Sequence, residues 1–279
     1  MFDIEQMKQN SRSRRTFLVR MSAAGLGTAA LALLSGCGGG DSSTDTSSVS
    51  SAVRSAFPGV SGNSDNIVVL NYAYTLERLE ANLYLQALNA ASGRPLTTPL
   101  DNATPAAGST GAYSQTVSNG NISPNFAFPG FLYLVQFAYV EAAHRDFLKA
   151  ALGANASPVT SASGNYKFAT SDGKPGNDLA TILSNILPLE ETGVRAYLGA
   201  TPYITDNATA QIAASIYSTE CRHSASLEYI LGLNPGPMNN IPGVPSGEQE
   251  VAAASAPNIF EKFLAPSVVL TAASSAFFA

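Results

Sequence analysis

Residues 130–152 read GFLYLVQFAYVEAAHRDFLKAAL, and the fold and chemistry of the chain can be worked out from this stretch. It is long and apolar, with Pro129 just before it and Gly153 just after, which is the usual punctuation of a helix. Inside it, Glu141 and His144 are three residues apart. At that spacing both side chains lie on one helix face, so a carboxylate and an imidazole can meet one metal ion. A single pair of this kind is only weak support for a metal site.

The same spacing occurs a second time, at Glu220 and His223. This pair lies in another helical stretch, residues 206–231, and Gly232 follows it as a typical helix terminator. The chain has only two histidines, and each follows a glutamate by three positions. Two such pairs on separate long helices, using every histidine, favour a metal site much more strongly than one pair does.

Two further helices are expected, at residues 65–91 and 177–200. The first has apolar residues at three- and four-residue spacing, and Gly93 and Pro95 mark its end. The second contains Pro188, which is expected to kink the helix or break it locally. Four helices of this length form a bundle more readily than any other architecture, so the expected fold class is all-α.

These two helices carry the remaining candidate residues, two glutamates and a tyrosine on each: Glu77, Glu80 and Tyr84 on the first, and Glu190, Glu191 and Tyr197 on the second. On each helix the tyrosine lies seven residues after the first glutamate. The two halves of the chain therefore repeat one order, a helix with Glu and Tyr followed by a helix with Glu-x-x-His. The tyrosines are expected to bond to groups beside the site, to be redox-active, or to pack in the core, where a buried hydroxyl needs a partner anyway.

Glutamates and histidines in this number suit a pair of metal ions. Two divalent ions carry four positive charges, which four carboxylates neutralise, two as terminal ligands and two as bridges. Imidazoles complete the coordination and leave positions open for oxygen or peroxide. Mixed carboxylate and imidazole ligands suit iron or manganese, and this set matches that of the di-iron and di-manganese carboxylate bundles. Without metal, four glutamates in one apolar core would be costly and would have to protonate.

The segments between and after the helices define the domain organisation. Three stretches rich in Gly, Pro, Ser, Thr and Asn form long loops: residues 92–124, 154–176 and 232–256. A short fifth helix is possible near residues 257–265, and the apolar tail beyond it is expected to pack against the fold. The expected organisation is a four-helix bundle over residues 64–232 and a C-terminal extension over residues 233–279.

The stretches TLERLEANLYL, EAAHRDFL, LPLEETGVRAYLGA and STECRH resemble the ferritin-like domain family that includes exported bacterial proteins of the desiccation-related type. More distantly they resemble ferritins, bacterioferritins and rubrerythrins. The likeness implies a ferritin-like four-helix bundle that holds two iron or manganese ions. In ferritins an aromatic residue follows the first-helix ligand by seven positions, which selects Glu77 over Glu80. In the exported family, Leu-x-Leu-Glu followed by Gly-Val and Ala-Tyr selects Glu190 over Glu191.

The resemblance therefore implies six metal ligands, with Glu80 and Glu191 as alternates: Glu77, Glu141, His144, Glu190, Glu220 and His223. The third long helix departs from the ferritin pattern, because it contains Pro188 and Gly193. The loop at residues 92–124 is also long. Neither feature favours the closed, hollow cage of a storage ferritin.

The first 36 residues are expected to be an export signal. Arg14 and Arg15 precede an apolar stretch of about 14 residues, which is too short to cross a bilayer and has the length of a signal-peptide core. The pattern resembles a twin-arginine signal, read by the Tat translocation machinery, which exports folded proteins. A membrane anchor with incidental arginines is the alternative.

Leu34-Ser35-Gly36-Cys37 resembles a lipobox, in which Cys37 is lipidated and becomes the new N-terminus; a plain cleavage site is the alternative. Residues 37–63 would then form a flexible tether, because the run GGGDSSTDTSSVSS cannot form a core. A lipid on Cys37 would anchor the protein without a spanning helix. Because Gly38 is not Asp, the resemblance implies the inner membrane, on its periplasmic side.

Charge and composition narrow the function further. Removing residues 1–36 takes away five basic and two acidic residues, so the net charge moves from −5 to −8. An acidic surface argues against nucleic acid as a partner.

The ligand set and the resemblance lead to two enzymatic hypotheses, a ferroxidase-like di-iron site and a catalase-like dimanganese site. The alternative is a lipid-tethered structural or desiccation-stress protein with a non-catalytic bundle, although all six ligand positions are filled.

Overall fold

A computed structural model of the protein describes residues 48–91, 95–100, 124–159, 179–237, 241–250 and 260–275. The expected export signal of residues 1–36 and Cys37 lie outside this part of the chain. The helices are α1 (Ser51–Ala56), α2 (Asp65–Ala91), α3 (Pro124–Leu152), α4 (Leu179–Ala200), α5 (Asn207–Ile230) and α6 (Pro266–Ser275), with strands β1 (Gln249–Glu250) and β2 (Lys262–Phe263). None of the helices in these ranges is long and apolar enough to cross a membrane.

The four long helices form the predicted all-α bundle. Helix α2 packs along α3, α4 packs along α5, and α2 and α4 also contact each other. Helix α2 has the predicted bounds, and the side chain of Asp206 caps α5 by accepting a bond from the backbone N–H of Thr209 at 2.8 Å. The two strands pair antiparallel as a minimal ladder outside the bundle.

The core consists of apolar layers on both sides of a polar middle. On one side lie residues such as Leu83 of α2 and Leu134 of α3. On the other side lie residues such as Leu70 of α2 and Ile216 of α5. Each long helix therefore passes from one apolar layer to the other, and its candidate ligand glutamate lies between them. This position encloses the glutamates in protein on all sides.

The start of α3 differs from the expectation, and of the two effects expected of Pro188 in α4 the local break does not occur. Helix α3 begins at Pro124 rather than Gly130, because proline at the first helical position removes no intrahelical bond. Pro129 then lies in its second turn instead of before it. Helix α4 runs unbroken through Pro188. A Cβ atom at Gly243 would lie 3.1 Å from the ring of that proline, so Pro188 is close to the segment that follows α5. Thr192 Oγ1 also donates to the carbonyl oxygen of Pro188 at 2.7 Å.

The flexible tether predicted for residues 37–63 is too long, because its second half is folded. Ser50 caps α1, with its side chain accepting a bond from the backbone N–H of Val53. Val53 and Phe57 are buried, and the Phe57 ring makes an edge contact with Tyr72 at 5.1 Å between centroids. Apolar side chains in an otherwise polar segment thus dock it on the end of the bundle.

The predicted fifth helix at residues 257–265 is also wrong. None of the described residues of that range, 260–265, is helical: Lys262 and Phe263 form β2, and the helix begins at Pro266. The backbone N–H of Leu264 donates to the carbonyl oxygen of Arg195 at 3.1 Å, and the Leu264 side chain is fully buried. Contact with α4 therefore holds this segment in place, and in the described part of the apolar tail, up to residue 275, Val269 and Leu270 are buried against the fold as expected.

Candidate metal centre

The six predicted ligands come together in the polar middle of the bundle. Their ligand atoms form two groups of four, and within each group all ligand atoms lie within 4.8 Å of one another. The first group is Glu77, Glu141, His144 and Glu220, and the second is Glu141, Glu190, Glu220 and His223. Glu141 and Glu220, the glutamates of the two Glu-x-x-His pairs, belong to both groups. Each group also has one glutamate and one histidine of its own.

In each group, the imidazole nitrogen lies close to oxygen atoms of all three glutamates. His144 Nδ1 lies 3.2 Å from Glu77 Oε2, 3.3 Å from Glu141 Oε2 and 3.3 Å from Glu220 Oε1. His223 Nδ1 lies 2.7 Å from Glu141 Oε1, 3.6 Å from Glu190 Oε1 and 3.9 Å from Glu220 Oε2. Each shared glutamate therefore turns one oxygen toward each histidine.

Local helix geometry orients these side chains. The three-residue spacing puts the glutamate and histidine of each pair on one face, one turn apart. Phe137, one turn before Glu141 on α3, stacks on the His223 ring with 3.8 Å between centroids. This contact from a neighbouring helix restricts rotation of the imidazole.

The two tyrosines connect the halves of the centre crosswise. Tyr197 of α4 donates its hydroxyl to Glu77 Oε1 of α2 at 2.6 Å. Tyr84 of α2 donates to Glu190 Oε1 of α4. Each tyrosine thus orients the glutamate of the facing helix rather than the one seven residues before it. Burial, and then the charge of the bonded glutamate, raise the pKa of both hydroxyls well above 10, so both remain proton donors.

The centre is enclosed, and its carboxyl groups titrate accordingly. His144 has the most exposed side chain of the six, at 16 %, whereas Glu77, Glu141, Glu190 and Glu220 are fully buried. Burial raises the pKa of Glu77 to about 7, although His144 and Tyr197 lower it. Burial and then the charge of Glu141 raise the pKa of Glu220.

The two imidazoles and Glu141 are shifted toward their charged forms. Burial opposes the charge on Glu141, but His223 and His144 outweigh it and hold its pKa below the usual range. Burial lowers the pKa of His144, but Glu77 and Glu141 raise it by more, so the net pKa lies well above 6.5. The same balance, with Glu190 and Glu141, raises the pKa of His223. The protein thus compensates in part for its buried carboxylates with its own two cations.

This compensation leaves many polar atoms unsatisfied. Within the described part of the chain, six buried ligand atoms have no hydrogen bond of good geometry: Glu77 Oε2, Glu141 Oε1, Glu190 Oε2, Glu220 Oε1 and Oε2, and His223 Nδ1. Native interiors rarely leave such atoms unpaired, and here they converge on one small volume. Glu141 Oε1 and His223 Nδ1 are only 2.7 Å apart and still do not align as donor and acceptor. Ligand atoms that converge in this way without bonding one another fit metal ions between them, which would take the place of protons on the imidazoles.

Comparison with known proteins agrees with this geometry. The sequence profile described as "Ferritin-like domain" matches residues 65–233, which is more than half of the chain. The chain belongs to the ferritin-like domain family. No curated protein matches it. The match begins at the first residue of α2 and ends just after α5, so the ferritin-like domain is the four-helix bundle that carries the centre.

The two alternates lie differently in this ferritin-like domain. Neither Glu80 nor Glu191 is in the two groups of ligand atoms. Glu191 points to the other side of α4, where Arg195 Nη1 and Ser224 Oγ donate to its two oxygens. Glu80 is buried beside the centre, and its Oε2 has no hydrogen bond among the described residues. The geometry therefore favours Glu77 and Glu190 as the predicted ligands, and leaves Glu80 next to them.

The network around Arg195 was not predicted from the sequence. Arg195 is 1 % exposed, and its Nε lies 2.6 Å from Glu248 Oε1, beyond the ferritin-like domain. Lys262 Nζ lies 3.4 Å from the other oxygen of Glu248. The four-residue spacing from Glu191 to Arg195 could have indicated their ion pair. Nothing local to Glu248 could have indicated its partner, because the two residues are far apart in the chain.

Proposed function

We propose that this ferritin-like protein binds a pair of iron or manganese ions and uses them to oxidise iron(II) or to consume oxygen or peroxide. The observation that supports this proposal is the pair of four-residue groups that share Glu141 and Glu220. Two shared carboxylates, with one further glutamate and one histidine for each ion, form a complete dinuclear ligand set. The choice between iron and manganese stays open, because both accept these ligands.

Each residue has a defined part in this proposal. Glu141 and Glu220 would bridge the two ions, whereas Glu77 with His144, and Glu190 with His223, would each bind one. Four carboxylates would neutralise two divalent ions. Bound metal would thus offset the free-energy cost of burying the four carboxylates together. Bound ions would supply the redox change or the activation of peroxide that the side chains cannot provide.

The surrounding residues would position the ligands and control access. The hydroxyl groups of Tyr84 and Tyr197 hold one oxygen each of Glu190 and Glu77, which leaves the other oxygen of each carboxylate free for metal. Apolar layers on both sides would keep bulk water from the centre. His144 has the most exposed of the six side chains, so a small oxidant would enter on its side.

We further propose that the protein is exported and lipid-anchored. The twin arginines would direct it to the Tat machinery after folding, which allows metal to be loaded in the cytoplasm. Cys37 would carry the lipid on the periplasmic side of the inner membrane, and residues 37–47 would form the tether to the folded part. Mass spectrometry of the mature N-terminus tests this: an unmodified N-terminus at any residue other than Cys37 would contradict it.

The first test of the proposed function is the metal content of mature protein purified from its native envelope. About two iron or manganese atoms per chain, measured by elemental mass spectrometry, are expected. The identity of the metal would then choose between ferroxidase and catalase chemistry. Content below about 0.1 atom per chain, without uptake of iron(II) under anaerobic conditions, would contradict the proposal and favour the structural or desiccation-stress alternative.

Two variants link the binding to these residues. The double variant His144→Ala/His223→Ala removes one ligand of each ion and is expected to lose tight binding of iron(II) or manganese(II) in anaerobic calorimetry. Arg222→Ala is the control, because Arg222 neighbours His223 in sequence but its side chain is exposed. Equal retention of metal by both variants would refute the assignment of the ligands.

A further inference from the structure

A small cavity lies inside the bundle, in the apolar layer that contains Leu70. Its volume is about 10 Å³, which is room for one molecule of the size of water or dioxygen. Each of the four long helices contributes to its wall: Ala73 from α2, Leu148 from α3, Tyr197 from α4 and Ile216 from α5 are among the lining residues. The cavity therefore lies between the helices, as the metal centre does.

Two walls of the cavity are one helical turn from ligands of the first group. Ala73 precedes Glu77 by four residues on α2. Leu148 follows His144 by four residues on α3. Four residues rise about 6 Å along a helix, and side chains at that spacing lie on the same face. These two helices therefore place the cavity directly beside the first group.

The other two walls lead to the same group. Ile216 precedes Glu220 by four residues on α5, so it is also one turn from a ligand. Tyr197 of α4 donates its hydroxyl to Glu77 Oε1 at 2.6 Å, so a single ring separates the cavity from that carboxylate. Glu190, which belongs only to the second group, lies seven residues before Tyr197, two turns away. The cavity thus adjoins the first group rather than the second.

The chemistry of the wall selects what the cavity can hold. In the part of the chain that the structure describes, carbon atoms alone form its accessible surface. The hydroxyl of the lining residue Thr209 donates to Asp206 Oδ2 at 2.7 Å, and that of Tyr197 donates to Glu77. Water or peroxide in the cavity would lose hydrogen bonds that it makes in solvent, which costs free energy. Dioxygen is apolar and has no hydrogen to donate, so it loses far less.

We propose that this cavity binds dioxygen and delivers it to the first group of ligands, so that dioxygen rather than peroxide is the oxidant of the centre. This inference rests on the proposed function. In the reaction, one molecule of dioxygen takes up two electrons from two iron(II) ions together with two protons, and forms one molecule of hydrogen peroxide. Two further wall residues, Ile212 and Ala213 of α5, are only half-buried, which gives the gas a short way in from solvent.

The first test uses dissolved dioxygen itself as the probe, on the mature protein without added metal. Dioxygen is paramagnetic, so it speeds the nuclear relaxation of methyl groups close to where it binds. The methyl groups of Leu70 and Ile216 should relax faster under dioxygen than under nitrogen. Those of Leu83 and Leu134, which are buried in the other apolar layer, should change much less and serve as the internal control. An equal change in both layers would overturn the inference.

Two matched variants link this effect to the cavity. Ala73→Val adds methyl groups that fill the cavity, so the enhancement at Ile216 should be lost. Ala87→Val is the control, because Ala87 is fully buried on the same helix but in the other layer, and it should keep the enhancement. Ile216→Val enlarges the cavity and should increase the enhancement at Leu70, which keeps the test informative if Ala73→Val does not fold.

Steady-state oxidation of iron(II) then tests delivery to the centre. With dioxygen as oxidant, Ala73→Val should raise KM about tenfold at unchanged kcat, because it removes a binding place and no reacting group. With peroxide as oxidant, the same variant should match wild type, and Ala87→Val should match wild type with both. An unchanged KM for dioxygen in iron-loaded Ala73→Val would overturn this inference alone. Failure of wild type to bind iron would overturn the proposed function, and with it the part of the cavity in oxidation.

Discussion

The substitution Gly199→Ala tests how the C-terminal segment is attached to the ferritin-like bundle. Gly199 lies near the end of α4, where Leu264 crosses the helix. A Cβ atom at this position would lie 2.9 Å from the Leu264 carbonyl carbon and closer still to its oxygen. The obstructing atoms belong to the backbone, which cannot rotate away as a flexible side chain can. The segment would have to leave the helix.

The expected magnitude follows from what this displacement removes. Leu264 is fully buried, and removal of a buried leucine side chain costs about 2–5 kcal/mol. The bond from its N–H to the carbonyl oxygen of Arg195 and the ion pair of Arg195 with Glu248 would weaken as well. In an unobstructed helix the same change would add about 1 kcal/mol of stability. We therefore expect a net loss of about 2–4 kcal/mol, opposite in sign to the helix propensity.

Urea denaturation followed by far-ultraviolet circular dichroism measures this loss as a lower denaturation midpoint. Ala214→Gly on the exposed face of α5 calibrates the propensity effect in this protein, and should cost about 1 kcal/mol. A Gly199→Ala variant at least as stable as wild type would refute the reasoning, because the segment could not then lie against α4 at Leu264.

Three further predictions concern the centre and its surroundings. Tyr84→Phe and Tyr197→Phe should each weaken metal binding about 10- to 100-fold in anaerobic calorimetry, because each removes the hydroxyl that orients a ligand glutamate; unchanged affinity in both would contradict that role. Metal at about 100 times its dissociation constant should add about 2.7 kcal/mol, or roughly 5–11 °C in melting temperature, and a chelator should remove this gain. Burial raises the pKa of Glu228 from 4.5, the value in the unfolded chain, to about 7 in the folded protein. The contribution of Glu228 to stability is therefore fully present below pH 4.5 and is lost as the pH rises through 7. Glu228→Gln should therefore match wild type near pH 4.5 and exceed it by roughly 1–3 kcal/mol at pH 8 in urea denaturation, whereas equal stability at both pH values would count against a buried, ionising Glu228.

Local patterns predicted the bundle well where they were strong. Helix α2 has its predicted bounds, because its apolar spacing is helical throughout and Gly and Pro follow it. The sequence places the start of α3 six residues late, because a proline such as Pro129 is typical of the position at which a helix begins. Pro188 suggested a break in α4, but the packing of both faces of that helix keeps it continuous. Tertiary contacts overrode the local signal at Pro188, whereas the earlier start of α3 follows from the tolerance of proline at the first helical position.

Four of the six candidate ligands could be predicted from the three-residue spacing of the two Glu-x-x-His pairs, whereas the resemblance to the ferritin-like family selected Glu77 over Glu80 and Glu190 over Glu191. The contacts that side chains of different helices make across the centre could not be predicted from the sequence. That Glu141 and Glu220 are shared, and that Tyr84 reaches Glu190 and Tyr197 reaches Glu77, depends on how the helices lie against one another.

The sequence by itself determined the four helices and the residue types of the centre, since periodicity, punctuation and three-residue spacing act within a single helix. Only the tertiary structure decided which residues that are far apart in the sequence are in contact. It paired Glu191 with Ser224 of α5, away from Glu190 in the centre, and it brought Glu248 from beyond the ferritin-like domain to Arg195. These contacts join residues that are distant in the chain, so no local pattern encodes them; they follow from packing the helices around a common core.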